Sequence, residues 1–507
     1  MRQFLKGLVI AGLLGIVIAM PTGWALAGGV LKIARQQDST TFDPIMTIQN
    51  ADIWVMNNMN SLLVRVSRDG TTIEPDLAES WTISPDGKVY TMNLRANLKF
   101  GDGSPLKASD AKYSLLRLRD KEGSIMAEMF IDIDTIDTPD DRTLVINLKQ
   151  RSAPFLAALA MFSAAVLPEK ALKERGDDFG SKPMGAGAFN LKEWKRGQYI
   201  SLVKNPHFWE ADRVKLDGVE WSYIPNDNTR ILKLQTGEVD AAIFIPFNRA
   251  KELDGNKDIN VHMDPSSRMD HMLVNHSHKP LDDLRVRQAI YYALNRQAIV
   301  DVVTFGFGKV ANSFIPAGAM HYNPDNFDYP YDPAKAKKLL ADAGVKGLML
   351  DLLVTAGDSV HDQIAVMVKD QLGKVGIDVN IVKQEEGQQW DSTVAGEYDI
   401  SVNYWTNDVI DPDQKTGFVL NGSDPDVLSY YTRYNNAKVN DLVAAARIET
   451  DEEVRKGMYY DLQRIAQEDV NWLGLYYSPF RNASRSNVTD FFQNPMGRFM
   501  LETTSIQ

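Results

Sequence analysis

The residues best placed to contact a ligand lie in one stretch, 398–413, which reads YDISVNYWTNDVIDPD. Its first half alternates like a β-strand, with Ile400 and Val402 on one face, and its Asx and Pro residues then end the strand. The turn that follows contains four candidate ligand-binding residues, Trp405, Thr406, Asn407 and Asp408. An indole offers a flat apolar surface and a carboxylate pairs with a cation, so the turn predicts half of a binding pocket.

A structural interpretation of the same residues stays open. Asp408, Asp411 and Asp413 are also what a solvated turn contains, because Asp and Pro are common turn formers. Trp405 is also what a core contains, since aromatic residues usually pack. These residues alone do not decide between the two interpretations.

Three histidines, His271, His276 and His278, lie within eight residues and raise the possibility of a metal centre. Imidazole is the commonest metal-binding side chain. Their spacing suits an extended segment, however, and no Cys or nearby carboxylate cluster completes a coordination shell. We therefore favour a surface or hinge role for them and expect neither a metal nor a cofactor. Metal or metallophore binding remains the alternative.

No catalytic motif stands out. The sequence contains no Cys, and the G-x-S-x-G, H-E-x-x-H and P-loop patterns are absent. Carboxylates are plentiful, but these usually form a solvated surface, and a catalytic pair is recognised only by its geometry. We predict that the protein is not an enzyme and assign no catalytic residue. A secreted hydrolase is the alternative from another class.

The N-terminus has the pattern of a secretory signal peptide. Arg2 and Lys6 precede an apolar run from Gly7 to Met20, and the Ala25–Ala27 segment supplies a small-x-small cleavage site. The run is shorter than the roughly 20 residues that span a bilayer, and no later stretch is long and apolar enough to do so. We predict removal of residues 1–27 and a periplasmic protein.

Length and composition narrow the class further. A chain of 507 residues is long enough for two or three domains. The net charge of −12, without a clustered basic footprint, argues against nucleic acid as a partner. An exported chain without cysteine has neither disulfides nor a Cys-linked lipid anchor. We expect a freely diffusing monomer.

The elements that position the turn change in style along the chain. Before residue 183, short strands and a hairpin around Ser84–Gly87 indicate an α+β region. Past His278, long amphipathic helices alternate with strands, and a β-α-β unit over 348–382 indicates parallel strands. Open α/β sheets bind ligands beyond the carboxyl ends of their strands, which again favours the turn after Tyr404. The contrast between the halves predicts two lobes with a cleft between them.

Several single elements are also predicted. Apolar spacing favours helices over 51–66 and 228–236, the second closed by Gly237. Ser109-Asp110 is expected to cap a helix, and Asp332-Pro333 to begin another. Closely spaced glycines at Gly185 and Gly187 suit a bend or a close backbone approach.

Nine stretches occur in one order from near residue 41 to residue 413. They are TFDP (41–44), PDLAESWTISPDGKVYTMNLR (75–95), KFGDGSPLKASDAKYSL (99–115), PMGAGAFNLKEW (183–194), NPHFWE (205–210), LQTGEVDAA (234–242), DLRVRQAIYYALNR (283–296), YDPAKAKKLLADAG (331–344) and WTNDVIDPD (405–413). This ordered set resembles the extracellular solute-binding proteins of peptide-type ABC transporters, a family that includes periplasmic dipeptide-, oligopeptide- and nickel-binding proteins.

The resemblance implies an α/β fold, the two-lobed periplasmic-binding-protein clamshell, with an additional α+β subdomain. The clamshell closes by hinge motion on a small solute and then docks on an inner-membrane ABC permease. The implied first lobe comprises 28–46, 183–275 and 478–507. The subdomain covers 47–182, and the second lobe covers 276–477.

The resemblance also implies roles for particular residues. Asp408 matches the aspartate that pairs with the ligand's α-ammonium group in peptide binders. Trp405 matches an aromatic residue beside it, and Gln49-Asn50 lies where a first-lobe loop touches the ligand. Tyr476 or Tyr477 resembles an aromatic residue near the pocket. The alternative for each is a core or hinge residue.

One departure bears on the ligand. Dipeptide binders hold the ligand's carboxylate with an arginine shortly before a helix, and here Thr355 stands at about that place, in VTAGDS. Longer-peptide binders can use an arginine in the strand before Trp405, where this chain has Val402. A free dipeptide is therefore in question, whereas an opine, a modified amino acid or a longer peptide remains open.

Overall fold

The computed structural model describes residues 28–423, 429 and 431–507, so the expected signal peptide at 1–27 lies outside the described residues. Three sheets organise the described chain, with seven, six and four strands, and two further pairs of short strands accompany them. Helices pack on these sheets and connect them. None of the helices in these ranges is long and apolar enough to cross a bilayer.

The strands follow in chain order. They are β1 (Val30–Arg35), β2 (Val64–Val66), β3 (Ile73–Pro75), β4 (Ala78–Ile83), β5 (Val89–Leu94), β6 (Ile133–Asp137), β7 (Thr143–Leu148), β8 (Phe189–Lys195), β9 (Tyr199–Lys204), β10 (Gly218–Tyr223), β11 (Ala241–Ala242), β12 (Ile259–Asp264), β13 (Met269–Val274), β14 (Lys309–Val310), β15 (Leu348–Thr355), β16 (Ile377–Gln384), β17 (Ile400–Trp405), β18 (Trp472–Tyr477), β19 (Phe480–Arg485), β20 (Val488–Thr489) and β21 (Ser505–Ile506).

The α-helices follow in the same way. They are α1 (Asn50–Met59), α2 (Ala108–Asp120), α3 (Phe155–Ala158), α4 (Glu169–Arg175), α5 (Asp227–Thr236), α6 (Phe247–Leu253), α7 (Leu284–Ala293), α8 (Arg296–Val303), α9 (Pro333–Asp342), α10 (Ser359–Gly373), α11 (Glu386–Ala395), α12 (Asp413–Leu420), α13 (Ala437–Ile448) and α14 (Glu452–Glu468).

The seven-stranded sheet has the order β12-β19-β11-β1-β10-β9-β8. Strand β1 lies near its centre, parallel to β10 and β11, and its Leu31 and Ile33 are fully buried. Strand β19, near the C-terminus, returns antiparallel to β11 and β12. The sheet therefore unites segments from both ends and the middle of the chain.

The six-stranded sheet has the order β14-β18-β13-β17-β15-β16. Strands β15 and β16 are parallel and joined by α10, which confirms the predicted β-α-β unit. Strand β13 pairs with β17 and β18 in this sheet. The chain thus enters the six-stranded sheet at Met269, ahead of the boundary expected at 276.

The four-stranded sheet, β4-β5-β7-β6, is antiparallel and lies within the expected α+β region. The predicted hairpin joins β4 to β5, and Gly87 supplies the positive φ of 71° that the turn requires. A second glycine position explains how this region attaches to the seven-stranded sheet. The Gly187 N–H donates to Met59 O at 2.8 Å, and a Cβ on Gly187 would lie 2.5 Å from the Met59 carbonyl carbon. The predicted close backbone approach is confirmed.

Two predicted element boundaries were wrong. The helix expected over 51–66 ends at Met59, and the chain extends into β2 after Asn60, whose N–H closes the helix on Met56 O. Clustered asparagines favour such an end because their side chains compete for backbone hydrogen bonds. Helix α2 begins at Ala108, so Asp110 lies inside its first turn and accepts a hydrogen bond from Lys107 N at 2.9 Å.

Candidate ligand-binding site

The predicted strand and turn at 398–413 are present. Strand β17 ends at Trp405, and α12 begins at Asp413. Strand β17 lies between β13 and β15 and is parallel to β15, so the two parallel strands share one carboxyl edge. The intervening loop, 406–412, leaves the sheet at that edge, where open α/β sheets hold ligands.

The 406–412 loop is inserted against the opposite half of the molecule. Val409 and Ile410 are buried in the hydrophobic cluster formed by the seven-stranded sheet and the α+β region. Asn407 N donates to Ser267 Oγ at 3.0 Å, and Ser267 Oγ donates to Pro495 O at 2.8 Å. The cleft is therefore closed around the end of β17.

Asp408 carries the clearest chemical signature in the loop. Its side chain is half-buried, and its Oδ2 accepts a hydrogen bond from Gln414 Nε2 at 3.2 Å. Burial raises the pKa of Asp408 to about 6, and the hydrogen bond from Gln414 only partly opposes this. No Lys, Arg or His among the described residues forms an ion pair with it. A carboxylate in this state gains most from a cation that enters with a ligand.

Asp411 and Asp413 are not the solvated turn residues of the structural interpretation. Asp411 is 4% exposed, and its two oxygens accept hydrogen bonds from the two terminal nitrogens of Arg455 at 2.7 and 2.8 Å. Asp413 is also buried, and burial raises its pKa to about 6 although Arg447 lies 4.0 Å away. These two carboxylates hold the loop and the start of α12 in place.

Trp405 forms an aromatic wall beside the loop. Its ring centroid lies 5.5 Å from that of Phe418 and 6.3 Å from that of Trp472. Phe418 in turn lines a small cavity of about 40 Å³ between α12 and the segment after α2. Trp405 therefore packs against a hydrophobic cluster that includes Met269 and lies one ring away from this cavity.

The cavity reaches Asp408 through one side chain. Its lining includes Met126 and Gln414, and Gln414 Nε2 is 3.9 Å from Met126 Sδ. The same nitrogen donates to Asp408. The cavity thus lies where the α+β region meets the loop, and Gln414 separates it from the Asp408 carboxylate.

Gln49 and Asn50 lie at the start of α1. Gln49 is exposed and makes no side-chain capping bond. The loop before it is held to the cavity wall by a hydrogen bond from Ile125 N to Ile45 O at 3.0 Å. Among the described hydrogen bonds, none joins Gln49 or Asn50 to Asp408, and neither residue lines the cavity.

The two tyrosine candidates separate cleanly. The hydroxyl of Tyr477 donates to Ser313 O at 2.8 Å and lies within the second lobe, which gives it a structural role. Tyr476 is 1% exposed and faces a charged cluster around Arg268 and Asp270. Of the pair, Tyr476 is the one that lies beside these charged residues.

The three histidines do not converge. His271 is fully buried and stacks on Trp472 with ring centroids 4.0 Å apart, so a surface role for it was wrong. Burial, then the nearby Lys415 charge, lowers the pKa of His271 to about 3. His278 Nδ1 lies 3.0 Å from Asp399 Oδ1. In the part of the chain that the structure describes, no three His, Cys, Asp or Glu side chains are grouped to hold a metal.

Sequence reasoning missed an ion pair at the start of β13. Arg268 Nε and Nη2 donate to the two oxygens of Asp270 at 3.1 and 2.8 Å, and the Arg268 Cζ lies 3.7 Å from the ring centroid of Tyr404. Ser478 Oγ adds a hydrogen bond of 3.1 Å to Asp270. Opposite charges two residues apart at the start of an apolar strand were the available signal, since such residues share one face.

The fold and the closed cleft define a two-lobed binding protein that encloses a small solute. The family model of bacterial extracellular solute-binding proteins, family 5 (Middle), matches residues 72–454. The chain belongs to this family. It is a solute-binding protein of the ABC-importer type, which confirms the resemblance noted in the sequence.

The relatives give the same result. The probable D,D-dipeptide-binding periplasmic protein DdpA of Escherichia coli K12 is 32% identical over 481 residues, covering 93% of each chain. The glutathione-binding protein GsiB of Shigella dysenteriae is 29% identical over 506 residues, covering 97% of this chain and 98% of the relative. These relatives are binding proteins rather than enzymes.

Solved structures confirm the clamshell fold. The ABC transporter-associated periplasmic binding protein DppA of Helicobacter pylori, in complex with the peptide STSA, matches with a TM-score of 0.86 at 28% identity, covering 94% of this chain and 98% of that one. The agropinic acid complex of AgaA from A. tumefaciens R10 matches with a TM-score of 0.84 at 27% identity, covering 94% and 99%.

Proposed function

We propose that the protein captures a small, ammonium-bearing solute in its interlobe cleft and delivers it to an inner-membrane ABC permease. The observation that carries this proposal is the Asp408 carboxylate, which is half-buried just after β17, accepts a hydrogen bond from Gln414 and pairs with no cation among the described residues. An ammonium group would replace lost hydration with a charge-assisted hydrogen bond. Peptides, opines and modified amino acids supply such a group.

The other candidate residues shape the site around this contact. Trp405 supplies an apolar wall, and Thr406 and Asn407 carry the backbone that presents Asp408. Gln49 and Asn50 would approach the solute from the loop beside Ile125. Tyr476 would close the site from β18, two strands away from β17, where it is already buried near Arg268.

The lobe boundaries belong to the same proposal. The first lobe comprises 28–46, the segment from 183 to the crossover, and 478–507, with 47–182 as the attached subdomain. Support comes from the strands of the seven-stranded sheet, all of which fall in the first-lobe segments. The crossover to the second lobe is placed before Met269 because β13 pairs in the six-stranded sheet.

The names of the relatives support this choice of ligand class. They include a probable D,D-dipeptide-binding protein, a glutathione-binding protein and a protein solved with the peptide STSA. We propose that this chain takes a solute of related chemistry and acts as a monomer.

A thermal-shift screen followed by calorimetry tests the proposal. The mature chain, 28–507, is screened against dipeptides, tripeptides, amino acids, opines, sugars and metal ions. A ligand at 100 times its dissociation constant adds about 2.7 kcal/mol of stability. Stabilisation by ammonium-bearing solutes is expected. Stabilisation only by sugars or by metal ions would contradict the proposal.

The variant Asp408→Asn then tests the assigned residue. It should weaken binding of the identified solute by about 2–5 kcal/mol, because it leaves the bound ammonium without its counter-charge. The control Asp378→Asn removes an exposed carboxylate from β16 and should leave affinity unchanged. Equal affinities for both variants would remove Asp408 from the site.

A further inference from the structure

Buried arginines in this protein have partners, with one exception. The buried set among the described residues comprises Arg35, Arg230, Arg268, Arg287, Arg296, Arg455 and Arg481. All except Arg481 donate to carboxylates or backbone carbonyls. The Arg481 side chain forms no hydrogen bond or ion pair with any described residue, and its Nε is buried without a partner. An uncompensated buried charge is costly, so this position points to a missing partner.

Arg481 projects from the first lobe. It lies in β19, where its backbone pairs with Met263 of β12. Its Cζ lies 4.5 Å from the ring centroid of Phe247 and 5.6 Å from that of Phe244. The two aromatic rings contact one face of the guanidinium. Its N–H groups lie in the plane of the group, so the rings do not provide them with acceptors.

The charges nearest to Arg481 lie on the second-lobe side. Its electrostatic neighbours are Arg268, Asp270, Tyr476 and Asp358. Burial, and then repulsion from Arg268, lowers the pKa of Arg481, while the two carboxylates act in the opposite direction. The guanidinium therefore faces the part of the cleft where β13, β18 and the start of α10 meet.

The two carboxylates of this group are already occupied. Asp270 accepts two hydrogen bonds from Arg268 and one from Ser478. Asp358 caps α10, where it accepts from Val360 N at 2.8 Å and from His361 N at 3.0 Å. Neither carboxylate accepts a hydrogen bond from Arg481, so a planar anion from a ligand can bind to the open side of the guanidinium.

A second buried polar group in the same region also lacks a partner. His361, in the first turn of α10, is 3% exposed, and both of its ring nitrogens are buried without a hydrogen bond. It lies within electrostatic range of the same two carboxylates, Asp270 and Asp358. Two unpartnered polar side chains, one from each lobe, therefore flank one place in the cleft.

We propose that Arg481 binds a carboxylate group of the transported solute, with His361 and Tyr476 completing the seat. This rests on the proposed function, because it places the anionic end of the same solute whose ammonium meets Asp408. A guanidinium donates two parallel hydrogen bonds to the two oxygens of a carboxylate. The Arg481 guanidinium has its donors free for this pairing. The solute is then a zwitterion.

The backbone makes the two ends compatible with one small molecule. Asn407 N contacts Ser267 Oγ at 3.0 Å. Asp408 follows the first of these residues, and Arg268 follows the second. Arg268 is an electrostatic neighbour of Arg481, so the carboxylate seat borders the segment that contacts the Asp408 loop. Burying Arg481 without an anion would also oppose closure of the empty protein.

Matched probes test the seat. Wild-type protein is titrated with trialanine, glutathione and D-alanyl-D-alanine, each as the free acid, as its C-terminal amide and as its N-acetyl derivative. The probe that binds most tightly is then titrated into Arg481→Met and Arg481→Lys. The control is Arg249→Met, because Arg249 lies on the neighbouring helix α6 and pairs with Glu252 at 3.3 Å.

The proposal expects a specific pattern of affinities. Amidation of the probe should weaken binding to the wild type by about 30-fold or more, the usual scale for an unpaired buried charge. Arg481→Met should weaken binding of the free acid by the same factor. It should bind the amide no more weakly than the wild type does. Arg481→Lys should recover part of the loss, and Arg249→Met should match the wild type. Equal binding of acid and amide would overturn the seat while leaving Asp408 in place.

Failure of the underlying function has a different signature. If N-acetylation of the probe leaves its affinity unchanged, Asp408 does not bind the ammonium group. This conclusion holds whether or not amidation weakens binding. If no probe stabilises the wild type, both proposals fall together. Small-angle scattering of the ligand-free protein tests whether the unpaired guanidinium opposes closure. Arg481→Met should shift the empty protein towards the closed form. An unchanged radius of gyration would contradict the claim that the unpaired guanidinium opposes closure.

Discussion

The backbone N–H of Asn407 donates to the hydroxyl of Ser267 at 3.0 Å, and the same hydroxyl donates to Pro495 O at 2.8 Å. A single buried side chain thus joins the ligand-facing loop, the start of β13 and the C-terminal part of the first lobe. Asp408 and Arg268 are the next residues along two of these segments. Ser267 therefore fixes the Asp408 loop against the segment that leads to Arg268, an electrostatic neighbour of Arg481.

Replacing Ser267 should weaken solute binding. Ser267→Ala leaves Asn407 N without its acceptor in the closed form, and an unsatisfied buried donor costs about 1–3 kcal/mol. We expect affinity to fall by about that amount in calorimetry, with little change in the unfolding temperature of the empty protein. Ser486→Ala, an exposed control, should bind normally. An unchanged affinity of Ser267→Ala would show that the contact is not part of the closed, loaded state.

Binding should depend on pH through Asp408. Its pKa, raised to about 6 by burial, makes the carboxylate mostly charged at pH 7.5 and mostly protonated at pH 5. The α-ammonium of a peptide, with a pKa of about 7.7–8.0, stays protonated below about pH 7, so affinity should be highest near pH 7 and fall roughly tenfold per unit below 6. Calorimetry from pH 5 to 8 measures this.

Two variants assign the pH dependence. Asp408→Asn should bind weakly with a nearly flat profile. Asp413 has a pKa raised to about 6 as well, but it lies beside Arg447 rather than in the solute site, so Asp413→Asn should keep the wild-type profile. A flat profile in Asp413→Asn would transfer the titration to that residue.

Neighbouring aspartates should have opposite effects on the stability of the closed protein. Asp411 is paired with Arg455, so Asp411→Asn leaves a buried charge alone and should lower the free energy of unfolding by about 3–5 kcal/mol. Asp408 has a raised pKa, so the fold binds a proton more readily than the unfolded chain between about pH 4 and 6, and its ionisation costs stability above that window. Asp408→Asn should therefore be neutral or stabilising at pH 7.5. Urea unfolding compares the two, and equal destabilisation would contradict these roles.

Arg447 should act as a closure contact. Its Nη2 donates to Glu128 O at 3.1 Å, its Nε lies 3.8 Å from Asp132 Oδ2, and its own carbonyl accepts from Ala153 N at 2.9 Å. Arg447→Met should speed solute dissociation by up to about fivefold, since partly exposed pairs contribute about 1 kcal/mol or less.

The ionic-strength dependence of solute dissociation tests the role assigned to Arg447. Stopped-flow dissociation of the wild type should accelerate with ionic strength, and the Arg447→Met variant should respond less, because screening weakens only contacts that are present. Arg464→Met is the control, as Arg464 pairs only with Asp461 and Glu468 of its own helix. Identical salt responses in all three proteins would contradict the assignment.

The local signals in the sequence predicted the architecture well where one physical rule dominated. Asp332-Pro333 begins α9 with the Asp332 side chain accepting from Lys335 N, and Gly237 ends α5 in the left-handed conformation with φ 78°. The alternation of Ile400 and Val402 placed β17 and its terminal loop. Each of these patterns acts over a few residues and does not depend on distant contacts.

The remainder depends on contacts that sequence spacing does not contain. The helix expected over 51–66 stops at Met59 because the following chain pairs with β3. Asp411 and Asp413 look like a solvated turn until Arg455 from α14 and Arg447 from α13 are placed beside them. The isolation of Arg481 is likewise visible only when every possible acceptor around it is known.

The most direct test of the account is a calorimetric cycle on one zwitterionic peptide. Wild type and Asp408→Asn are each titrated with the free peptide and with its N-acetyl form at pH 7.5. The account predicts that acetylation and the variant each cost about 2–5 kcal/mol, and that together they cost little more than either alone, because both remove the same ion pair. Fully additive losses, or no loss on acetylation, would contradict the claim that Asp408 receives the ammonium of the solute.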